Sequence, residues 1–217
     1  MVDEVEGLWR TIVDWLRSHA PATAAHIRPP ASGEALSSLA AALGRTLPAD
    51  LHRWWQLADG MTVGVLDPLI PSLYTPLPVA EALKNRQFSL SLDQESTDAD
   101  EVAGAPSYGF HPLFVPIAED HCGQTMFIDL REGSQHGCIG VWDHESAWDD
   151  GVYWESLSDM LTDVRDALVH GRPALVAHAE RRLQHFAGHA VDASIWRAAV
   201  DSAGRLAWTP QEVGSRR

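Results

Sequence analysis

The sequence predicts an α+β fold with N-terminal helices, a central antiparallel β-meander, a closing helix and a helical C-terminal extension. Three observations carry this prediction: helical apolar stripes come first along the chain, short strand patterns follow, and an amphipathic helix pattern closes the series. Helices and strands that are segregated along a chain favour an antiparallel sheet covered by helices.

The first sixty residues predict three helices. Residues 3–18 repeat apolar side chains at spacings of three and four, which is typical of a helix with one buried face. A second stripe spans residues 36–43, and Gly44 follows it as a stop signal. The third helix is predicted over Ala49–Ala58 and contains Trp54-Trp55. Successive helical positions differ by about 100°, so we expect one of these two indoles to be only partly buried.

Three short strand patterns occupy the middle of the chain. They are Leu113–Ala118, Gln124–Leu130 and Cys138–Trp142. Gly133 and Ser134 lie between the last two, so we predict an antiparallel hairpin there. A turn centred near Gly133 would place Cys138 opposite Ile128.

The closing helix and the extension are predicted from caps and periodicity. Ser156 with Asp159 three residues later forms a capping-box pattern before an apolar stripe. In the extension, residues 172–217, helices are predicted over Ala174–Phe186 and Ile195–Val200.

Acidic residues are concentrated in the middle of the chain. The 217 residues carry a formal net charge of −14, and the segment Gln87–Val164 alone contains sixteen acids and one basic residue, Arg131. One interpretation is a solvated face that favours solubility. The other is a surface that attracts a basic partner. The candidate partner-binding acids are Asp93, Glu95, Asp98, Asp100, Glu101, Asp143, Glu145, Asp149 and Asp150.

Trp148 stands among the last of these acids and has no periodic apolar partner. Tryptophan is enriched at interface hot spots, which makes Trp148 a candidate exposed anchor. The alternative is a loop residue folded back onto the sheet.

Composition excludes several classes of protein. An acidic chain is a poor binder of nucleic acid or of anionic membranes, which proteins bind through Lys and Arg. Two cysteines are too few for a disulfide scaffold. The start MVDEVEGLWR lacks the features of a signal peptide, and no run of about 18 apolar residues occurs. We therefore expect a cytoplasmic protein.

Catalytic patterns are sparse. The sequence has no Gly-x-Ser-x-Gly elbow and no glycine-rich phosphate loop. His121, Cys122 and His144 could meet at one end of the hairpin and are the candidate metal ligands, but the paired Cys-x-x-Cys spacing of structural zinc sites is missing, so we expect no metal site. Cys122 and Cys138 would lie roughly 20 Å apart along the ladder, too far to share a metal. We expect no cofactor and a buried Cys138.

The order of short motifs over roughly residues 36–168 resembles the SUKH superfamily. That superfamily groups the fungal cell-wall-assembly regulator domain with bacterial immunity proteins against polymorphic toxins. The matching positions are Leu47, Pro48, Trp54, Asp59, Gly60, Pro116, Asp120, Gly123, Asp129, Gly140 and Ser156. The turn His121-Cys122-Gly123-Gln124 departs from the pattern, since an acidic residue commonly follows the glycine.

The resemblance implies a domain over residues 1–171 and places residues 172–217 outside it. It also implies protein binding rather than catalysis. Asp59, Asp120 and Asp129 are expected to stabilise turns, and the matching glycines to meet backbone requirements.

Three functional hypotheses follow. The first is an immunity protein that neutralises a basic toxin by stoichiometric binding through its acidic surface. The second is an intracellular scaffold or regulatory module of the fungal type. The third is a metal-dependent hydrolase that uses His121, Cys122 and His144.

Overall fold

The computed structural model describes residues 2–92, 102–143, 148, 151–185 and 193–213. Helices precede, flank and follow a meander of short strands. In chain order the elements are α1 Val2–His19, α2 Pro21–Ala24, α3 Gly33–Leu43, α4 Ala49–Leu57, β1 Thr75–Pro76, α5 Val79–Leu92, β2 Phe114–Glu119, β3 Gln124–Asp129, β4 Ile139–Asp143, α6 Leu157–His170, α7 Val176–His185, β5 Ser194–Val200 and β6 Leu206–Glu212.

The central sheet is antiparallel, with the strand order β1-β2-β3-β4. This arrangement confirms the predicted α+β class and its meander. The predicted hairpin register was wrong by one residue, because Ile128 pairs with Ile139 and not with Cys138. Strand β2 carries an irregularity between Pro116 and Ala118, where proline has no N–H for the ladder.

Local signals predicted the end of α3 and the start of α6 correctly. The Ser32 hydroxyl accepts a hydrogen bond from the Ala35 N–H at the start of α3, and Gly44 ends that helix in the left-handed conformation. The Ser156 hydroxyl accepts from the Asp159 N–H at the start of α6, which confirms the predicted cap.

The central sheet is buried on both faces. Side chains alternate across a strand, so neighbouring residues of β3 and β4 enter different hydrophobic clusters. Ile128 and Ile139 join the main core, which also contains the buried side chains of helices α1, α4 and α6. Phe127 and Trp142 join a second cluster, which we call the aromatic cluster. Its buried members are Phe110, Phe114, Phe127, Cys138, Trp142, Trp148 and Val152.

Trp54 and Trp55 are both buried, so the prediction that one is partly exposed was wrong. Trp54 packs edge-on against Trp9 of α1, with ring centroids 5.9 Å apart. The Trp55 indole N–H donates to the Leu77 carbonyl at 3.1 Å. Helix α4 is covered on two sides, and consecutive positions can therefore both be buried.

The extension is only partly helical. The helix predicted over Ala174–Phe186 is present as α7, but Ile195–Val200 lies in strand β5, so its helix prediction was wrong. Strand β5 pairs along its length with β6, and Trp196 also forms an isolated bridge with Ala174. These pairings outweigh the helical spacing of a short alanine-containing segment.

The extension packs on the rest of the chain. The backbone N–H of Leu206 donates to the Thr23 hydroxyl at 2.8 Å, and the Trp208 indole N–H donates to the Pro68 carbonyl at 3.2 Å. Both Leu206 and Trp208 belong to the main core cluster. The division of the chain at residue 171 stays a prediction.

Candidate partner-binding surface

Arg131, the one basic residue of the acidic segment Gln87–Val164, is buried. Its Nε lies 3.1 Å from both carboxylate oxygens of Asp129, and its Nη2 donates to Asp129 Oδ2 at 2.9 Å. Phe114 and Trp148 lie against the guanidinium, with ring centroids 4.9 and 5.4 Å from Cζ. Because the two charges neutralise each other inside the protein, Arg131 does not offset the acids that the segment exposes.

The same ion pair holds residues 102–107 at the end of β3. The Gly104 N–H donates to Asp129 Oδ2 at 2.9 Å, and Arg131 Nη2 donates to the Ala105 carbonyl at 2.7 Å. The Arg131 backbone N–H donates to Asp129 Oδ1. Asp129 therefore stabilises a turn, as predicted, and also anchors the chain that follows the acidic residues 93–101.

Trp148 is 1% exposed, so its prediction as an exposed anchor was wrong. Its ring packs edge-on against Phe127 at 5.0 Å and Phe114 at 5.7 Å, and its indole N–H donates to the Gly151 carbonyl. A Cβ on Gly140 would lie 2.7 Å from Trp148 Cε2, which explains glycine at that position. The alternative, a residue folded back onto the sheet, is confirmed.

Trp148 also joins two acidic stretches that are distant in sequence. The backbone N–H of Trp148 donates to the Ser107 carbonyl at 3.0 Å, and the backbone carbonyl of Trp148 accepts from the Ser107 N–H at 3.1 Å. Ser107 follows the acids of residues 93–101, and Trp148 lies within the acidic stretch 143–150. The backbone that follows the first stretch is therefore hydrogen-bonded to the backbone of the second.

The candidate acids themselves fall mostly outside the described residues. Asp143 is described: it is half-buried at the end of β4, opposite Gln124. The others are Asp93, Glu95, Asp98, Asp100, Glu101, Glu145, Asp149 and Asp150, and they lie outside the described residues.

A groove opens between the C-terminal half of α5 and the end of the sheet where β2 turns into β3. Its volume is about 490 Å³. Phe88 and Leu92 of α5 line it and are 64% and 52% exposed, and Trp142 of β4 lines it as well. Sequence reasoning missed these three residues. The sequence shows only that Phe88 and Leu92 lie one helical turn apart; it does not show that α5 leaves them exposed.

The walls of this groove are fixed by packing and by hydrogen bonds. The Thr125 hydroxyl donates to the Asn85 side chain at 3.2 Å, which ties α5 to β3. The Tyr74 hydroxyl donates to Gln124 Oε1 at 2.7 Å. Trp142 packs edge-on against Phe110 at 5.3 Å, and its indole N–H has no acceptor within the described part of the chain.

The proposed metal ligands are only partly described. His121 Nδ1 lies 3.5 Å from a Glu119 carboxylate oxygen, and Cys122 is exposed. Cys138 is buried, as predicted, and burial raises the pKa of its thiol to about 12, with the nearby Asp129 carboxylate adding to the effect. Within the described ranges no three His, Cys, Asp or Glu side chains form a metal-binding group, and His144 lies outside those ranges.

Asp59 and Asp120 bond to backbone N–H groups. Asp59 Oδ1 accepts from the Val79 N–H at 2.8 Å, at the start of α5. Asp120 Oδ1 accepts from the N–H groups of Cys122 and Gln124, at 2.8 and 2.9 Å. These contacts agree with the predicted turn and capping roles.

The remaining family-motif positions also shape the backbone. Gly60 has a φ of 62°, and a Cβ there would lie 2.4 Å from the Leu77 carbonyl carbon. Gly123 has a φ of 116°. Leu47 packs against the main core, and Pro48 stands at the N-cap of α4.

A second groove, of about 460 Å³, lies where the extension meets α6. Asp159, Asp163 and Asp166 of α6 line it, together with Arg181 of α7. Burial raises the pKa of Asp163, although the Leu175 N–H and the Trp154 indole N–H donate to the same oxygen at 2.9 Å. This groove was not anticipated from sequence.

The comparisons with known proteins agree with this architecture. The model of the SMI1/KNR4 family (SUKH-1) matches residues 30–163. The chain therefore belongs to this family and to the SUKH superfamily. A comparison with curated proteins found no match. In the described residues no helix has both the length and the apolar character needed to cross a membrane.

Proposed function

We propose that this protein is a cytoplasmic immunity protein that neutralises a toxin by binding it stoichiometrically through an acidic surface. Residues 1–171 form the binding domain in this proposal, and residues 172–217 form an extension packed on it. The toxin domain is basic, and no bond is made or broken.

One observation carries the proposal: the backbone pair between Ser107 and Trp148. This pair joins the backbone that follows residues 93–101 to the backbone of residues 143–150, two acidic stretches that lie some forty residues apart in sequence. The burial of Arg131 supports it further, because the single cation of the segment is already neutralised by Asp129. A surface of one charge sign steers an oppositely charged partner and raises the association rate.

A basic toxin is the partner that this charge favours. Toxins that cleave nucleic acids need Lys and Arg to hold phosphates, so an acidic inhibitor is complementary to them. Steering of this kind weakens with salt, because the Debye length falls from about 30 Å at 0.01 M to about 8 Å at 0.15 M.

The test measures the association rate between the full chain and the toxin domain encoded by an adjacent reading frame. We expect the rate constant to fall by at least about tenfold between low and high salt. The variant Asp149→Asn/Asp150→Asn should lower the association rate at low salt. The matched control Glu4→Gln/Glu34→Gln removes two exposed acids from helices α1 and α3 and should leave the rate unchanged. Salt-insensitive association, or equal effects of the two variants, contradicts the proposal.

The same family match favours a second candidate, an intracellular scaffold of the fungal cell-wall-assembly regulator type. Gene neighbourhood separates the two: an adjacent toxin reading frame favours the immunity protein, and a solitary gene favours the scaffold. The metal-dependent hydrolase stays an untested prediction. Metal analysis of untagged protein tests it, and a metal content near zero rejects it.

A further inference from the structure

We propose that the groove between α5 and the β2–β3 turn receives a large apolar side chain that is flanked by Lys or Arg on a protein partner. This inference rests on the proposed function, since it specifies how a basic partner is recognised. The groove is lined by Asn85, Phe88, Leu92, Glu119, His121 and Trp142, among others.

The exposed apolar side chains of α5 are the first argument. Phe88 and Leu92 lie four residues apart, so they share one face of the helix. The residues that α5 buries are Val79, Ala82, Arg86 and Ser89, and neither Phe88 nor Leu92 is among them. The helix thus docks on its own domain without Phe88 and Leu92, and these two are available to cover an apolar group from outside.

The size and shape of the groove are the second argument. Its volume of about 490 Å³ lies within the range of about 300–1,000 Å³ that is typical of ligand pockets. Trp142 forms part of its lining and is held in place by Phe110. A groove that is fixed before binding receives a side chain with little loss of conformational entropy.

Charge is the third argument, and it selects the partner. Among the described lining residues there is no Lys or Arg, and Glu119 contributes a carboxylate. The two cations of α5 are engaged elsewhere: Lys84 pairs with Glu81 at 2.7 Å, and Arg86 donates to the Pro112 carbonyl. Helix α5 also leads directly into the acidic residues 93–101. A basic flank on the incoming segment is therefore the complementary charge.

The experiment uses a display library of random twelve-residue peptides, panned on the full chain. We expect the enriched peptides to combine Trp, Phe or Leu with neighbouring Lys or Arg. Synthetic copies should lose at least tenfold in affinity for Phe88→Ser/Leu92→Ser. The matched control is Leu66→Ser/Leu73→Ser, which changes two comparably exposed apolar residues outside the groove, and it should alter affinity by less than twofold.

Several outcomes overturn this inference. They are no enrichment, enrichment without basic residues, or equal binding by the two variants. Tighter peptide binding after replacement of residues 93–101 by a Gly-Ser linker would show that this segment of the chain itself occupies the groove. Concentration-dependent dimers that Phe88→Ser/Leu92→Ser abolishes would show that a second copy of this chain occupies the groove. The toxin experiment is independent, because neutralisation without peptide selectivity rejects only the groove.

Discussion

Replacing Arg131 by methionine tests whether the buried ion pair organises the acidic side of the molecule. The substitution keeps an unbranched apolar chain beside Phe114 and Trp148 but removes every guanidinium hydrogen bond. Asp129, whose side chain is 0% exposed, would then keep only the backbone N–H groups of Gly104 and Arg131 as donors among the contacts described above.

The expected magnitude follows from that geometry. Removing one partner of a buried pair leaves an uncompensated charge and costs about 3–5 kcal/mol. A typical domain has an unfolding free energy of about 5–15 kcal/mol, so the loss is a large fraction of the total. The matched control is Arg172→Met. Arg172 pairs with Asp166 at 2.9 Å, but its side chain is 69% exposed. Exposed pairs contribute about 0–1 kcal/mol.

Urea denaturation at neutral pH measures both variants, and a double-mutant cycle with Asp129→Asn separates the pair from its surroundings. We expect the double variant to lose less stability than the two single variants together, because the buried charge is then removed with its partner. An Arg131→Met loss below about 1 kcal/mol, equal to that of an exposed pair, would refute the role assigned to this ion pair.

Two further predictions concern titratable groups. Burial raises the pKa of Asp163 above its unfolded value, so the folded state favours the protonated carboxyl. The stability that this group contributes is fully present below the unfolded pKa and is lost as pH rises through the folded pKa. Asp163→Asn should therefore stabilise the protein at neutral pH, with a gain that vanishes in acid; urea titrations at both pH values measure it, and a pH-independent difference contradicts it. Native protein should react with a thiol reagent once, at exposed Cys122, because burial raises the pKa of Cys138 to about 12. Cys122→Ser should then abolish the reaction until the protein unfolds, and two reactive thiols in the native protein would contradict this.

Features that depend on neighbours in sequence were predictable. The cap of α6 at Ser156 requires only Asp159, three residues later. The stop of α3 at Gly44 requires only the left-handed conformation that glycine readily adopts. The meander was predictable in order but not in exact register, because one residue in the turn shifts the whole ladder. Asp120 was predictable as a turn residue because its carboxylate accepts hydrogen bonds from Cys122 and Gln124, which are close to it in sequence.

Features that depend on distant pairing were not predictable. Trp148 looked like an exposed anchor because its partners, Ser107, Phe114 and Phe127, come from earlier segments of the chain. Strand β5 is a different case, because its pairing with β6 is local and the turn carries Asp201 and Gly204, which are typical hairpin residues; the helix prediction over Ile195–Val200 did not use that signal. The groove beside Phe88 was hidden for a related reason: only the docked helix shows which apolar residues remain uncovered.

The acidic segment contains two kinds of residue that composition alone cannot distinguish: buried residues that fix the backbone, and acids on the surface. Asp129, Arg131 and Trp148 lie within the acidic segment, yet they are buried and fix the backbone at residues 102–107 and at 148. Backbone that is already fixed at these positions loses no conformational freedom when a partner binds, which lowers the entropic cost of association. Neutralising a surface acid should therefore slow association and leave the unfolding free energy unchanged, whereas Arg131→Met should lower the unfolding free energy and affinity together. A surface acid variant that destabilised the fold as strongly as Arg131→Met would show that this separation does not hold.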